Sequence, residues 1–144
     1  MSTDSNPMAN FNRDIIEQFR ANGGEMKEGV FKGAPLLLLT TVGAKSGATY
    51  TTPLVYTRDG DRYVIIASKG GAPTNPAWFH NLVANPNPTI EVGTEKFEAN
   101  ATVAQGDERD RLFDAQASLM PNFAEYQQKT SRRIPVVVLE RAAN

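Results

Sequence analysis

Residues 36–68 have the sequence LLLLTTVGAKSGATYTTPLVYTRDGDRYVIIAS, and this segment decides the fold. It contains three runs of the residue types that favour β-strands, separated by turns that contain Gly: Leu36 to Val42, Ala48 to Thr57 and Arg62 to Ser68. GAKSG joins the first two runs, and Asp59-Gly60 joins the second to the third. Asp-Gly between two such runs is a strong hairpin signal. We therefore predict that Ala48 to Ser68 forms an antiparallel pair.

The flanking regions alternate short helical patterns with further strand patterns. Phe11, Ile15, Ile16 and Phe19 recur at helical spacing and predict an amphipathic helix that ends at Gly23-Gly24. The other predicted elements are a helix over 77–84 with Asn75 as N-cap before Pro76, strands over 89–92 and 96–103, a helix capped by Asp107, a helical piece over 123–129 and a strand over 134–140. About six strands with helices between them predict an α+β fold based on a small antiparallel barrel.

The composition indicates one globular domain, with 40% hydrophobic and 22% charged residues among 144. We expect residues 1–10 to be a flexible N-terminus, and residues 11–144 to be a single domain that begins with the amphipathic helix. The apolar stripe of that helix has three uses open to it. It can dock on the core, which is the favoured use, line a ligand mouth, or touch a membrane surface.

Charge and residue usage exclude several classes of function. A net charge of −1 argues against nucleic-acid binding, which needs a basic face. The apolar runs fall far short of the roughly 20 residues that span a bilayer, so we expect a cytoplasmic protein whose only membrane contact is peripheral, through the first helix. Cys is absent and His80 is the single His, so no metal site, disulfide or thiol chemistry is expected.

The turn Gly43-Ala44-Lys45-Ser46-Gly47 is the first candidate binding motif. Its glycines let several backbone N–H groups converge, while Lys45 adds a charge and Ser46 a hydroxyl, a combination that suits a phosphate or carboxylate. It lacks the spacing and the following helix of a P-loop. The alternative is a hairpin turn with a solvated lysine.

Two further segments extend this candidate site. Ser68-Lys69-Gly70-Gly71-Ala72 leaves the third predicted strand with another lysine beside flexible backbone, and Trp78 follows on the first turn of a predicted helix. Trp78 is also a natural core residue. Together these segments describe a crevice for a flat ring with a charged tail, and redox chemistry there would belong to a bound cofactor.

The segment LLLLTTVGAKSGATYTTPLVYTRDGDRYVIIASKGGAPTNPAWFHNLVANPNPTIEV resembles the deazaflavin (F420)-dependent nitroreductase and quinone reductase family. The ordered set GAKSG, TPL, SKGGAPTNPAW and NLVANP carries the resemblance, which runs from about Pro35 to Leu139 and includes the closing IPVVVLER. It implies a split β-barrel akin to the FMN-binding barrels, coenzyme F420 as hydride donor, and a quinone or nitroaromatic or nitroimidazole acceptor.

The family's functional positions match this chain at three places. Contacts to the coenzyme are implied for Ala44, Lys45, Ser46, Gly47, Pro53, Ala67, Ser68, Lys69, Ala77, Trp78 and Asn81. The acceptor wall is implied for Met120, Phe123 and Tyr126, where better-known members carry more tyrosines. Ser68 and Tyr126 are the candidate catalytic hydrogen-bond donors to the acceptor.

Two other functions remain as alternatives at this stage. An FMN-binding split-barrel oxidoreductase would share the fold and much of the crevice. A protein that binds F420 without turnover would explain why Met120 and Phe123 stand where tyrosines are expected. These two residues and Tyr126 also suit a core, because Met and Phe at helical spacing usually pack inward.

Overall fold

The structure is a computed structural model that describes residues 7–29 and 31–142. Its helices are α1 (Pro7–Ala21), α2 (Ala77–Ala84), α3 (Gly106–Leu119) and α4 (Asn122–Gln128), and Lys69–Gly71 form a single 3₁₀ turn. Its strands are β1 (Leu36–Val42), β2 (Thr49–Val55), β3 (Thr57–Asp59), β4 (Arg62–Ile66), β5 (Thr89–Val92), β6 (Glu95–Val103) and β7 (Val136–Arg141).

The seven strands form an antiparallel sheet in the order β2-β1-β5-β6-β7-β4-β3. The first and last strands of this order are β2 and β3, yet only Tyr56 separates them along the chain. The sheet must therefore curl until its two edges meet at that residue. The predicted α+β fold built on a small antiparallel barrel is confirmed.

Strand β6 belongs to both halves of the barrel. Its first part, Glu95 to Glu98, pairs with β5, and its second part, Ala99 to Val103, pairs with β7. The change of partner along a single strand divides the barrel into two half-sheets, which is the split expected from the resemblance.

One predicted pairing is wrong in part. Only Thr57–Asp59 pairs with β4, whereas Thr49–Val55 pairs with β1 along its whole length. The hairpin signal at Asp59-Gly60 identified the turn, where Gly60 has a φ of +62°. It did not reveal that the strand changes partner at Tyr56, because that change is imposed by closure of the sheet. For this reason there are seven strands and not about six.

Helix α1 begins at Pro7, earlier than the Phe11 start that the apolar spacing predicts. Pro is accepted in a first helical turn because its missing N–H would have no partner within the helix. Residues 1–6 of the predicted flexible segment lie outside the described residues. The stripe residues Ile15 and Phe19 are 5% and 1% exposed and pack against the barrel, whereas Phe11 at the start of the stripe is 39% exposed. Most of the stripe therefore docks on the core and gives a membrane contact no support.

No helix in the described ranges is long and apolar enough to cross a bilayer.

Helices α3 and α4 cover the other side of the barrel. Their apolar residues join a buried cluster built on β4 and β7. Asp107 lies in the first turn of α3 and not at its N-cap, which is Gln105. Arg111 of α3 and Arg62 of β4 both bind Asp59 at the hairpin turn, and their hydrogen bonds lower the pKa of Asp59 to about 2. These ion pairs tie the β3–β4 hairpin to α3.

Candidate functional site

A large cavity lies between the GAKSG turn, β2 and the start of α2. Its volume is about 930 Å³, at the upper end of the usual range for cofactor sites. The residues that line it are Asn12, Thr41, Gly43, Ala44, Lys45, Ser46, Tyr50, Thr52, Ala77, Trp78, His80 and Asn81. Six of the residues predicted to contact the coenzyme therefore line the same cavity.

The GAKSG turn is a compact structure held by its own hydrogen bonds. The Gly43 N–H donates to the Ala48 carbonyl at 2.6 Å, and Gly47, with a φ of +76°, donates to the Gly43 carbonyl at 3.1 Å. Ser46 Oγ accepts from the Ala48 N–H and lies 3.3 Å from Tyr50 Oη. The Ser46 hydroxyl thus shapes the turn, and the exposed Lys45 supplies its charge.

Asn81 connects the turn to α2. Its side chain is buried, with Oδ1 accepting from the Ala44 N–H at 3.1 Å and Nδ2 donating to Thr41 Oγ1 at 3.2 Å. The sequence predicted a coenzyme contact for Asn81. In the structure its amide also joins two walls of the cavity, so the turn and α2 keep a fixed separation.

Trp78 is both a core residue and part of the cavity wall. It is 7% exposed and belongs to the core cluster that contains Ala67, and it also lines the cavity. The indole therefore forms a rigid wall supported from behind by the barrel core. Ala77, one residue earlier, is exposed on the same wall.

Five other predicted coenzyme residues do not line this cavity. Gly47 faces open space, and Pro53 is buried in β2 opposite Leu38. Ala67 and Ser68 are buried at the end of β4. Lys69 follows them with a φ of +49°, and its Nζ lies 3.4 Å from Thr74 Oγ1.

Arg132 holds the loop that contains these last residues, and no local sequence pattern indicates this role. The guanidinium donates to the carbonyls of Ala67, Ser68 and Ala72 and to Asn75 Oδ1. The prediction that Asn75 caps α2 is wrong, since Pro76 is the N-cap and no side chain caps the helix. Asn75 instead contributes its side-chain oxygen to Arg132.

The predicted acceptor wall lies outside the cavity lining. Phe123 is 6% exposed in the cluster under α3 and α4, and Met120 and Tyr126 pack against that cluster. The chain is not helical across Pro121, because α3 ends at Leu119 and α4 begins at Asn122. Consequently only Phe123 and Tyr126 share a helix, and Tyr126 Oη accepts from Asn122 Nδ2 at 2.8 Å.

Five cavity residues escaped the sequence analysis as site candidates: Asn12, Thr41, Tyr50, Thr52 and His80. His80 lies three residues after Ala77 on α2, and this helical spacing could have placed it on the same wall. Asn12 and Tyr50 reach the cavity through tertiary packing of α1 and β2, which no local pattern reveals. Tyr50 is 50% exposed, so its hydroxyl is accessible to a ligand.

No group of three or more His, Cys, Asp or Glu side chains able to hold a metal occurs within residues 7–29 and 31–142. The expectation that the reaction needs no metal remains a prediction.

Comparisons with known proteins agree on one family. The model of the family described as F420H(2)-dependent quinone reductase matches residues 11–141. The F420H(2)-dependent quinone reductase Rv1261c of Mycobacterium tuberculosis is 44% identical over 126 residues, covering 85% of each chain. A solved F420-H2 dependent reductase, FDR-A, superimposes with a TM-score of 0.68 at 38% identity, covering 74% of this chain and 94% of its own.

A more distant solved structure supports the fold alone. HutZ, the heme storage protein from Vibrio cholerae, has a TM-score of 0.60 at 15% identity, with 92% of both chains covered.

Proposed function

The chain belongs to the F420H(2)-dependent quinone reductase family, and from that membership we propose how its residues divide the work of the reaction. The protein is an oxidoreductase that uses coenzyme F420, and the resemblance noted in its sequence is confirmed. We place the coenzyme in the 930 Å³ cavity. The observation that carries this assignment is that one cavity joins the Lys45 turn to the Trp78 wall.

The residues of the cavity fit the two chemical halves of the coenzyme. The buried indole of Trp78 offers a flat apolar wall for a tricyclic ring, and the Asn81–Thr41 hydrogen bond ties α2, which carries Trp78, to β1. At the rim, Lys45 offers a positive charge for a phosphate and a glutamyl tail. The N–H groups of Gly43, Ala44 and Gly47 already donate within the protein, so the backbone of the turn contributes through those of Lys45 and Ser46. A ring at one end and anions at the other would thus each meet suitable partners.

Reduced F420 supplies a hydride when bound, and the protein's own contribution is geometric and electrostatic. The core behind Trp78 keeps water from one side of the cavity. Holding two reactants in a reactive geometry lowers a barrier by roughly 7–11 kcal/mol in the best cases. A quinone that accepts a hydride also needs a proton and a donor for its developing negative charge.

We propose that this donor is Tyr126 or Ser68, on either side of the 3₁₀ turn Lys69–Gly71. Helix α4 packs directly on this turn, since a Cβ built on Gly71 would lie 2.8 Å from the Tyr126 carbonyl oxygen. The acceptor would then approach from the α4 side of the loop, while the coenzyme tail leaves by the GAKSG side. The buried Phe123 and the partly buried Met120 pack at this end. They make it an apolar wall, which suits a quinone better than a polar nitro compound.

Two tyrosine variants test the acceptor side. Tyr126→Phe is expected to lower quinone turnover by about three- to tenfold, the effect of one hydrogen bond, with little change in coenzyme affinity. Tyr50→Phe is the matched control, because its hydroxyl lies on the main cavity and bonds Ser46. It should leave turnover at saturating coenzyme unchanged. Steady-state kinetics with a naphthoquinone decide between them, and the reverse pattern would move the donor from α4 to β2.

A further inference from the structure

We propose that Arg132 is a positioning residue for the coenzyme site, which acts by fixing the loop of residues 67–76 between β4 and α2. This inference rests on the proposed placement of the coenzyme. The loop carries Ser68 and Lys69 and continues directly into Ala77 and Trp78 on the cavity wall. Arg132 itself does not line the cavity.

The guanidinium donates hydrogen bonds to residues spread along most of the loop. Nε donates to the Ala72 carbonyl at 2.9 Å, and Nη2 donates to the Ser68 carbonyl at 2.8 Å. Nη1 donates to the Ala67 carbonyl at 3.2 Å and to Asn75 Oδ1 at 2.7 Å. Four of the five N–H donors of one side chain thus hold four points of a single loop.

Every one of these acceptors is neutral. Six other arginines in the described part of the chain pair with carboxylates: Arg20, Arg62, Arg109, Arg111, Arg133 and Arg141. Burial lowers the pKa of Arg132, since desolvation disfavours a cation. Partial burial of a cation without a carboxylate is tolerated because hydrogen bonds to oxygens compensate it.

The position of Arg132 is in turn set by α4. Gln127 Nε2 donates to the Arg132 carbonyl at 2.7 Å, and Gln127 Oε1 accepts from the Ile134 N–H and from Arg109 of α3. The guanidinium therefore transmits the position of α3 and α4 to the loop. The backbone hydrogen bonds of the loop include those of the 3₁₀ turn, Gly71 to Ser68 and Ala72 to Lys69, and that of its first residue, Ala67, to the Pro135 carbonyl. Arg132 is the side chain that links both ends of the loop, at Ala67 and at Asn75.

The test replaces Arg132 and then restores its chemistry from solution. Arg132→Ala removes the guanidinium and leaves its four acceptors unpaired. We expect cleavage after Lys69 by a lysine-specific protease, measured by mass spectrometry on the coenzyme-free protein, to accelerate about tenfold or more. We also expect the Kd for F420 to rise by a similar factor. Low-millimolar guanidinium chloride should partly reverse both changes, whereas urea, a neutral molecule of the same shape, should not.

Arg133→Ala is the matched control, because it removes the same charge from the next residue. Arg133 is exposed and pairs with Asp110, so its loss should change neither the cleavage rate nor the Kd. Equal changes in the two variants, or a folded Arg132→Ala protein with wild-type cleavage and Kd, would overturn the proposal. So would rescue by urea to the same extent as by guanidinium.

If Arg132→Ala does not fold, Arg132→Lys replaces it, since Lys keeps the charge but donates from one nitrogen. Faster cleavage after Lys69 together with a raised Kd for F420 supports the proposal, and wild-type values for both reject it. The cleavage assay contains no coenzyme. The loop can therefore be cleaved faster in the variant even where F420 binds neither the variant nor the wild type. That result would count against the coenzyme placement and not against the role of Arg132 in the loop.

Discussion

Replacing Gly71 by Ala is expected to lower the free energy of unfolding by about 2–5 kcal/mol. Gly71 has a φ of +85°, and a left-handed conformation costs a residue with a Cβ roughly 1–2 kcal/mol. The new Cβ would also lie 2.8 Å from the Tyr126 carbonyl oxygen and 3.0 Å from Lys129 Cβ. Relief of that overlap requires α4 to move, and overpacking of this kind costs about 1–3 kcal/mol more. Urea unfolding measures the change.

The control for this experiment is Gly60→Ala in the β3–β4 hairpin. Gly60 has a φ of +62°, but a Cβ there meets no heavy atom within 4 Å. Only the conformational cost of about 1–2 kcal/mol should appear. The difference between the two variants therefore isolates the close approach of α4 to the loop. Equal destabilisation would mean that α4 does not contact the loop as closely as described, and would weaken the proposed acceptor side with it.

Replacing Lys45 by Ala is expected to weaken F420 binding by roughly 1.5–3 kcal/mol, the value of a hydrogen bond to a charged group. The Kd should rise about 10- to 150-fold. The rate of hydride transfer at saturating coenzyme should stay the same, because Lys45 is at the cavity rim and is assigned to the anionic tail. Fluorescence titration gives the Kd, and stopped-flow oxidation of the reduced coenzyme gives the rate.

Two comparisons make the Lys45 result specific. A deazaflavin fragment without phosphate and glutamates should bind wild type and Lys45→Ala equally well. Lys32→Ala removes an exposed lysine that does not line the cavity and should leave the Kd for F420 unchanged. An unaltered Kd in Lys45→Ala, or an equal loss of affinity for the fragment, would remove Lys45 from the tail site.

Local patterns predicted the elements well where the structure is decided locally. Strand β1 and helix α2 have the bounds that residue type and flanking Gly or Pro indicate. GAKSG is predicted to be a binding turn because glycine and lysine at its positions have direct backbone and charge consequences. Its residues Ala44, Lys45 and Ser46 do line the cavity.

Features decided by long-range packing could not be predicted. The strand change at Tyr56 follows from closure of the sheet, and the place of Tyr50 on the cavity follows from how β2 faces α2. Arg132 looked like any other arginine in a polar turn, because its acceptors lie 57 to 65 residues away along the chain. Phe123 is predicted to belong to the acceptor wall, yet its side chain is buried mainly in the core.

The most direct test of the central claim is anaerobic oxidation of F420H2 by a naphthoquinone in the presence of the purified protein, followed through the return of oxidised deazaflavin absorbance. We expect catalysed, saturable oxidation that reduced FMN does not support. We also expect quinone turnover to exceed nitroimidazole turnover, because the proposed acceptor side is apolar. Tight F420 binding without any turnover, or turnover with FMN and none with F420, would contradict the account.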